Sequence, residues 1–124
     1  VVAIIGDGGY QMTCNELGTI LQTKAAVKIV VLNNSYLGMV RQWQELFFDK
    51  RYASTEMVSP NFVKLAEAYD IEAVRVSKRE DLAAAIKTMM ASKEAYFLEV
   101  VIEQEDNIFP MIPTGASVSD IRLS

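Results

Sequence analysis

Residues 1–34 read VVAIIGDGGYQMTCNELGTILQTKAAVKIVVLNN, and this stretch decides the architecture. Val1 to Ile5 is a continuous apolar run rich in β-branched residues, the pattern of a strand buried on both faces. It breaks into a glycine-rich turn, Gly6-Asp7-Gly8-Gly9. Residues 12–24 then carry Leu17, Ile20 and Leu21 at the spacing of one helix face. Lys28 to Leu32, KIVVL, is a second buried strand, stopped by Asn33-Asn34. Two polar clusters thus stand at the carboxyl ends of two successive strands, where α/β sheets bind ligands.

The pattern continues downstream. Ser59-Pro60 supplies an N-cap and a first-turn proline. Phe62, Leu65, Ala66 and Tyr69 then follow at i, i+3, i+4 and i+7. Glu72 to Val76 reads as a third strand. Ser77-x-x-Glu80 is a capping box, followed by a helix that buries Leu82, Ala85, Ile86 and Met89. Tyr96 to Ile102, YFLEVVI, is a fourth strand. This alternation predicts an α/β fold: a layered parallel sheet with flanking helices over residues 1–105, its strands joined by right-handed crossovers. Residues 106–124 carry Pro110 and Pro113, show no period, and read as a C-terminal arm.

Composition removes many functions. The chain has 124 residues, a net charge of −4 and no basic cluster, which argues against nucleic acid as a partner. No apolar run is long enough to span a membrane, and the start carries no signal-peptide pattern. The opening Val1-Val2, with no methionine and already inside a strand pattern, reads as part of a longer protein. There is no histidine, so no Ser-His-Asp triad, HExxH zinc site or imidazole base can form. The single cysteine, Cys14, excludes an intrachain disulfide and a thiolate zinc site, and reads as a small buried side chain. Carboxylates, amides, backbone groups and a cofactor remain to carry chemistry.

The glycine turn is the first candidate. Glycines allow close backbone approach, and N–H groups at a helix entrance attract phosphate oxygens. Asp7 there would repel phosphate unless a divalent cation lay between them, and magnesium takes one or two carboxylates plus phosphates. Asn34 can add an amide oxygen. By itself GDG reads first as a plain strand-to-helix turn, because short glycine motifs are common by chance. The pairing is what adds information: 24 residues lie between Gly8 and Asn33, the length of one helix and one returning strand. Further on, Tyr36, Val40, Trp43 and Phe47 recur at helical spacing, which reads as a packed stripe. The connection from Tyr36 to Ser59 is also long enough for a lid. The two readings are compatible. Arg41 reads as an exposed helical arginine or as an anion-orienting group. Glu16, Glu67 and Glu80 read as solvated or capping residues.

The GDG–NN pairing resembles the thiamine-diphosphate enzyme family, whose signature is GDG, about two dozen residues, then NN. The resemblance implies the thiamine-diphosphate-binding fold, here its pyrophosphate-binding domain lacking an N-terminal part. Carried over position by position, it implies Mg2+ held by the side chains of Asp7 and Asn34 and by the main-chain oxygen of Tyr36. It implies cofactor contacts at Gly6, Asp7, Gly8, Gly9, Asn34, Tyr36, Gly38 and Met39. Position 9 is often serine in that family and is Gly9 here.

Residues 33–48, NNSYLGMVRQWQELFF, resemble the acetohydroxyacid (acetolactate) synthase branch, and GMVRQWQ is their most specific part. That branch implies Met39 beside the cofactor and, with Trp43, lining a substrate channel. Residues 109–115, FPMIPTG, are similar to its C-terminal arm, which folds over the site. The implied whole enzyme decarboxylates pyruvate and condenses the hydroxyethyl unit with a second 2-ketoacid, pyruvate or 2-ketobutyrate, in branched-chain amino-acid biosynthesis. Pyruvate oxidase, a 2-ketoacid decarboxylase and glyoxylate carboligase are the neighbouring alternatives. A phosphate-receiving signalling module is the rival from another class. The family's activating glutamate and the flavin (FAD) site belong to other domains. No catalytic residue is therefore assigned in this chain, and alone it is expected to be inactive. The branch further implies a homo-oligomer, a regulatory small subunit as partner, and a cytoplasmic location, or plastid or mitochondrial matrix in a eukaryote.

Overall fold

The computed structural model describes residues 1–123. The Val- and Ile-rich runs form four strands: β1 (Val2–Gly6), β2 (Lys28–Asn33), β3 (Glu72–Val76) and β4 (Tyr96–Val101). All pairings are parallel, in the order β1-β2-β4-β3. The strands start almost flush, with Val2 opposite Lys28, Lys28 opposite Tyr96, and Glu72 opposite Tyr96. Their carboxyl ends therefore share one rim of the sheet. Between them run α1 (Asp7–Thr13), α2 (Leu17–Thr23), α3 (Gly38–Phe47), α4 (Phe62–Glu67) and α5 (Arg79–Ala91).

The period-two alternation of the strands divides the core into two layers. On one face Ile29, Val31 and Phe97 pack against Tyr10, Leu17, Phe62, Ala66 and Ile71. The Tyr10 ring meets Phe62 edge-on and Phe97 at a tilt, each with centroids 5.2 Å apart. On the other face Tyr96, Leu98 and Val100 pack with Val76 under Met89 of α5. Lys28 is buried at the start of β2, where its ammonium donates to the carbonyls of Ser92 (3.0 Å) and Glu94.

Several local expectations need correction. The glycine cluster is no turn: Gly6 is the N-cap, and Asp7, Gly8 and Gly9 are already helical. The helix expected over 12–24 is split by a 3-10 turn at Cys14–Glu16. β1 is not buried on both faces, because α5 packs over β3 and β4 and leaves its side of β1 uncovered; Ile4 is 70% exposed. Ser59 does not cap α4. Asn61 does, its Oδ1 accepting the Lys64 N–H at 3.0 Å. The Ser77–Glu80 box is not made, since α5 starts one residue later, with Lys78 at the N-cap and no side-chain cap. α5 buries Met89 and half-buries Leu82 and Ala85, but Ile86 points outward. Cys14 is half-buried rather than buried.

Tyr10 lends the first face a pH dependence. Its hydroxyl is buried with no hydrogen-bond partner among the described residues, and burial pushes the phenol from 10.0 up to about 12. Below the unfolded value the ring is neutral in both states and the packing is fully retained. As pH rises from there toward the folded value the unfolded chain ionises first, and stability falls by roughly 2–3 kcal/mol. Tyr10→Phe should keep the aromatic packing and remove that loss. Urea unfolding midpoints between pH 9 and 12 test this: equal alkaline slopes in variant and wild type would refute it.

Candidate functional site

The rim of parallel carboxyl ends is where Asp7 and Asn34 come together. β1 delivers Asp7 as the first residue of α1, and β2 delivers Asn33 and, one residue on, Asn34. The two segments are joined by one group. The N–H of Ser35 donates to Asp7 Oδ2 and to Asn33 Oδ1, at 3.0 Å each. Ser35 has φ 59, a left-handed conformation uncommon for serine, here accompanied by the two bonds its N–H makes. Asn34 Oδ1 accepts the N–H of Tyr36 at 3.1 Å, an Asx turn that orients the amide.

Asp7 is only 1% exposed and makes no ion pair among the described residues. Burial raises its carboxyl above the ordinary 3.8. The N–H groups of Gly8, Ser35 and Asp7 itself oppose the rise, and the nearby Glu99 charge adds to it. A buried carboxylate in that state favours an arriving cation. The donors at hand are one carboxylate, one amide and main-chain carbonyls, all oxygen, which suits a hard ion such as magnesium. No group of three or more His, Cys, Asp or Glu side chains able to hold a metal occurs among the described residues.

An open, mainly apolar cleft of about 540 Å³ adjoins these groups. Gly6, Asp7, Gly8, Gly9, Asn34, Tyr36, Gly38 and Met39 all line it. Trp43 does not. It is half-buried on α3 with its ring 4.9 Å from that of Phe47, away from the cleft lining. Two glycines matter sterically. A Cβ on Gly8 would lie 2.7 Å from Leu37 Cδ2 and 3.1 Å from Met57 Sδ, and one on Gly38 would lie 3.2 Å from Asn34 Nδ2. The serine frequent at position 9 would put its Cβ 3.1 Å from Ile5 Cγ1, so Ile5 would have to give.

The long connection is folded and fastened. Leu37 N–H donates to Thr55 O and Met57 N–H to Ser35 O, at 2.8 Å each. Gln44 pairs with the backbone of Ala53 in both directions, and Thr55 is buried. The expected aromatic stripe is not what α3 buries. Its one buried residue is Gln42, whose amide donates to Ile108 O (2.9 Å) and accepts from Ile108 N–H (2.8 Å). Gln42 thereby pins the C-terminal arm to α3. The arm itself is closed by the antiparallel bridge Met111–Arg122, and the Arg122 guanidinium stacks over Phe47. Arg41 is not an exposed arginine. It pairs with Glu45 at 3.0 Å and stacks over Tyr36 and Tyr52. Glu16, Glu67 and Glu80 are exposed and remote from the cleft. Leu37, Met57 and Gln42 gave no sequence signal, because their roles depend on chain segments that meet only on folding.

Residues 1–100 match the family model described as thiamine pyrophosphate enzyme, C-terminal TPP binding domain. The chain is 46% identical over 123 residues to the mitochondrial acetolactate synthase of Schizosaccharomyces pombe, covering 99% of this chain and 18% of that protein. It is 43% identical to the acetolactate synthase isozyme 2 large subunit of Escherichia coli K12, covering 98% of this chain and 22% of that protein. Among solved structures it superposes on a thiamine diphosphate-dependent 4-hydroxybenzoylformate decarboxylase from Rhodococcus jostii RHA1. That match has a TM-score of 0.79 and 27% identity, over 86% of this chain and 20% of that one. The chain spans about a fifth of the length of the curated relatives it matches. No helix among the described residues is long and apolar enough to cross a membrane.

Proposed function

Because the chain belongs to the thiamine pyrophosphate enzyme family through its C-terminal TPP binding domain, we propose that it is the part of an acetolactate synthase catalytic subunit that binds the magnesium–diphosphate end of the cofactor. The observation that carries the reading is the meeting of Asp7, Asn34 and Tyr36 beside one cleft, in a chain 46% identical to an acetolactate synthase. Thiamine diphosphate, when bound, supplies the carbanion-stabilising centre that 2-ketoacid chemistry needs. The residues of this chain do the holding. Asp7 offers the single anionic oxygen donor, Asn34 Oδ1 a neutral one with a lone pair beyond its Tyr36 bond, and Tyr36 its carbonyl. Of the first-turn N–H groups of α1, which have no intrahelical acceptor, those of Asp7 and Gly8 lie against the Asp7 carboxylate, and that of Gly9, a residue lining the cleft, suits a phosphate oxygen. Leu37, Met39 and Val40 line the cleft with apolar surface, which would limit water around a bound cofactor.

The whole enzyme then joins two 2-ketoacids, with pyruvate as donor and pyruvate or 2-ketobutyrate as acceptor. The structural likeness to a decarboxylase supports a second reading, in which the product is an aldehyde. Incubating the full-length protein with pyruvate, thiamine diphosphate and Mg2+ separates the two. Acetolactate is the expected product, and its formation should stop when either the cofactor or the metal is withheld. Acetaldehyde without acetolactate would establish the second reading instead, and turnover unaffected by removing both would dispose of both.

A further inference from the structure

We infer that Glu99, in the middle of the sheet, is a positioning residue for the cation site, acting through Asn33 on the loop that carries Asn34 and Tyr36. The inference rests on the reading of Asp7, Asn34 and Tyr36 proposed above. Glu99 interrupts the apolar strand YFLEVV and is completely buried on β4. Its Oε1 accepts from Asn33 Nδ2 and its Oε2 from Arg75 Nε, both at 2.7 Å. Stability does not explain a carboxylate there. Desolvating an ion pair costs about what the pair returns, and a well-packed apolar residue in its place is often neutral or better. The Arg75 side chain is also 45% exposed, which weakens the pair further.

What Glu99 does is decide which way Asn33 faces. An asparagine side chain has a donor end and an acceptor end, whereas an ionised carboxylate only accepts. With Glu99 holding the NH2, Oδ1 must point to the other side, where it receives the Ser35 N–H at 3.0 Å and the Ser35 hydroxyl at 3.4 Å. That same N–H donates to Asp7. Ser35 sits between Asn34 and Tyr36, so its left-handed backbone sets how the Asn34 side chain and the Tyr36 carbonyl are presented. Three hydrogen bonds therefore run from the sheet interior to the site, Glu99 to Asn33, Asn33 to Ser35, and Ser35 to Asp7. Partners of this kind orient metal ligands without touching the metal.

The test is calorimetric titration of the full-length apoprotein with Mg2+ at saturating thiamine diphosphate, with melting temperatures in parallel. Glu99→Leu should raise the dissociation constant for Mg2+ by about 10- to 100-fold. Glu99→Gln keeps an acceptor toward Asn33 and should restore most of the affinity. Arg75→Gln breaks the ion pair alone, so it should lower the melting temperature with far less effect on Mg2+ binding. Asn33→Leu should match Glu99→Leu, and the double variant should be no worse than either, since both cut one relay. If Glu99→Leu does not fold, Asn33→Leu and Glu99→Gln decide. Wild-type Mg2+ affinity in Glu99→Leu or Asn33→Leu overturns the inference, as does an equal loss in Arg75→Gln. Asp7→Ala is the control. If it keeps wild-type affinity the site reading itself has failed; if it alone loses affinity, only the role of Glu99 has.

Discussion

Asp7→Ala in the full-length protein is expected to lower magnesium-dependent acetolactate formation by at least about 100-fold, the upper end of what the loss of a ligand's supporting partner costs. It removes the only anionic oxygen donor at the proposed site. Neutral oxygens alone compete poorly with water for a small, strongly hydrated ion. The effect on stability should run the other way. In the metal-free fold Asp7 is a buried carboxylate raised by desolvation, so its ionisation opposes folding. The sign follows from that direction. A carboxyl raised above its unfolded value contributes stability that is fully present below that value, near 3.8, and lost as pH rises through the folded one. The metal-free wild type should therefore lose melting temperature relative to Asp7→Asn as pH rises above about 4, and Mg2+ with the cofactor should close that gap. Asp7→Asn keeps the shape and removes the charge. It should be as inactive as Asp7→Ala yet melt no lower than metal-free wild type at pH 7. Normal turnover by either variant at limiting Mg2+ would remove Asp7 from the metal site, and a large melting loss in Asp7→Asn would make its role structural.

The pair Asp7 and Asn34 was legible in sequence while much around it was not. GDG and NN are short, local and placed at strand ends, so one helix-and-strand spacing was enough to bring Asp7 and Asn34 together. The sheet was legible for a similar reason: KIVVL, EAVRV and YFLEVV are short segments rich in β-branched or aromatic residues, and their length separates them from helices. Burial was a different matter. VVAIIG carries the pattern of a central strand, yet β1 is an edge, because which neighbour covers a strand is a property of the sheet. Helix boundaries slipped where capping alternatives compete over one or two residues. Asn61 displaced Ser59-Pro60, and Lys78 the Ser77 box.

The misreadings at the site share a cause. Periodicity pointed to Tyr36, Val40, Trp43 and Phe47 as the packed stripe of α3, but the buried residue is Gln42. A glutamine is buried there because its amide meets both backbone groups of Ile108, 66 residues away, and no pattern within α3 can announce that partner. Glu99 is the same case. Inside YFLEVV it looks like a misplaced charge, and its meaning comes from Arg75 on one neighbouring strand and Asn33 on the other. Polar residues in apolar contexts are where local reasoning stops and where the fold carries its function.

The 124-residue chain by itself is expected to self-associate through β1 and to turn over no substrate. α5 covers only half of its side of the sheet, the half made by β3 and β4. On the same side β1 presents Val2 at 43% and Ile4 at 70% exposure beside half-buried Val30 and Leu32, and Met12 stands 78% exposed nearby. β1 also has hydrogen-bond partners on one flank only. An unpaired, apolar edge strand is a template for pairing with another chain. Two copies joined at β1 would form an antiparallel, isologous contact that extends both sheets and brings the exposed valine and isoleucine of each copy side by side on one face. Sedimentation over a wide concentration range should show the apparent mass at least doubling. Ile4→Lys places a charge on the edge, leaves both packed clusters untouched, and should return the chain to monomer. Association that survives Ile4→Lys would locate the contact elsewhere, for instance at Phe47 and Phe48 on the end of α3. A wild-type chain that stays monomeric throughout would refute self-association through the β1 edge.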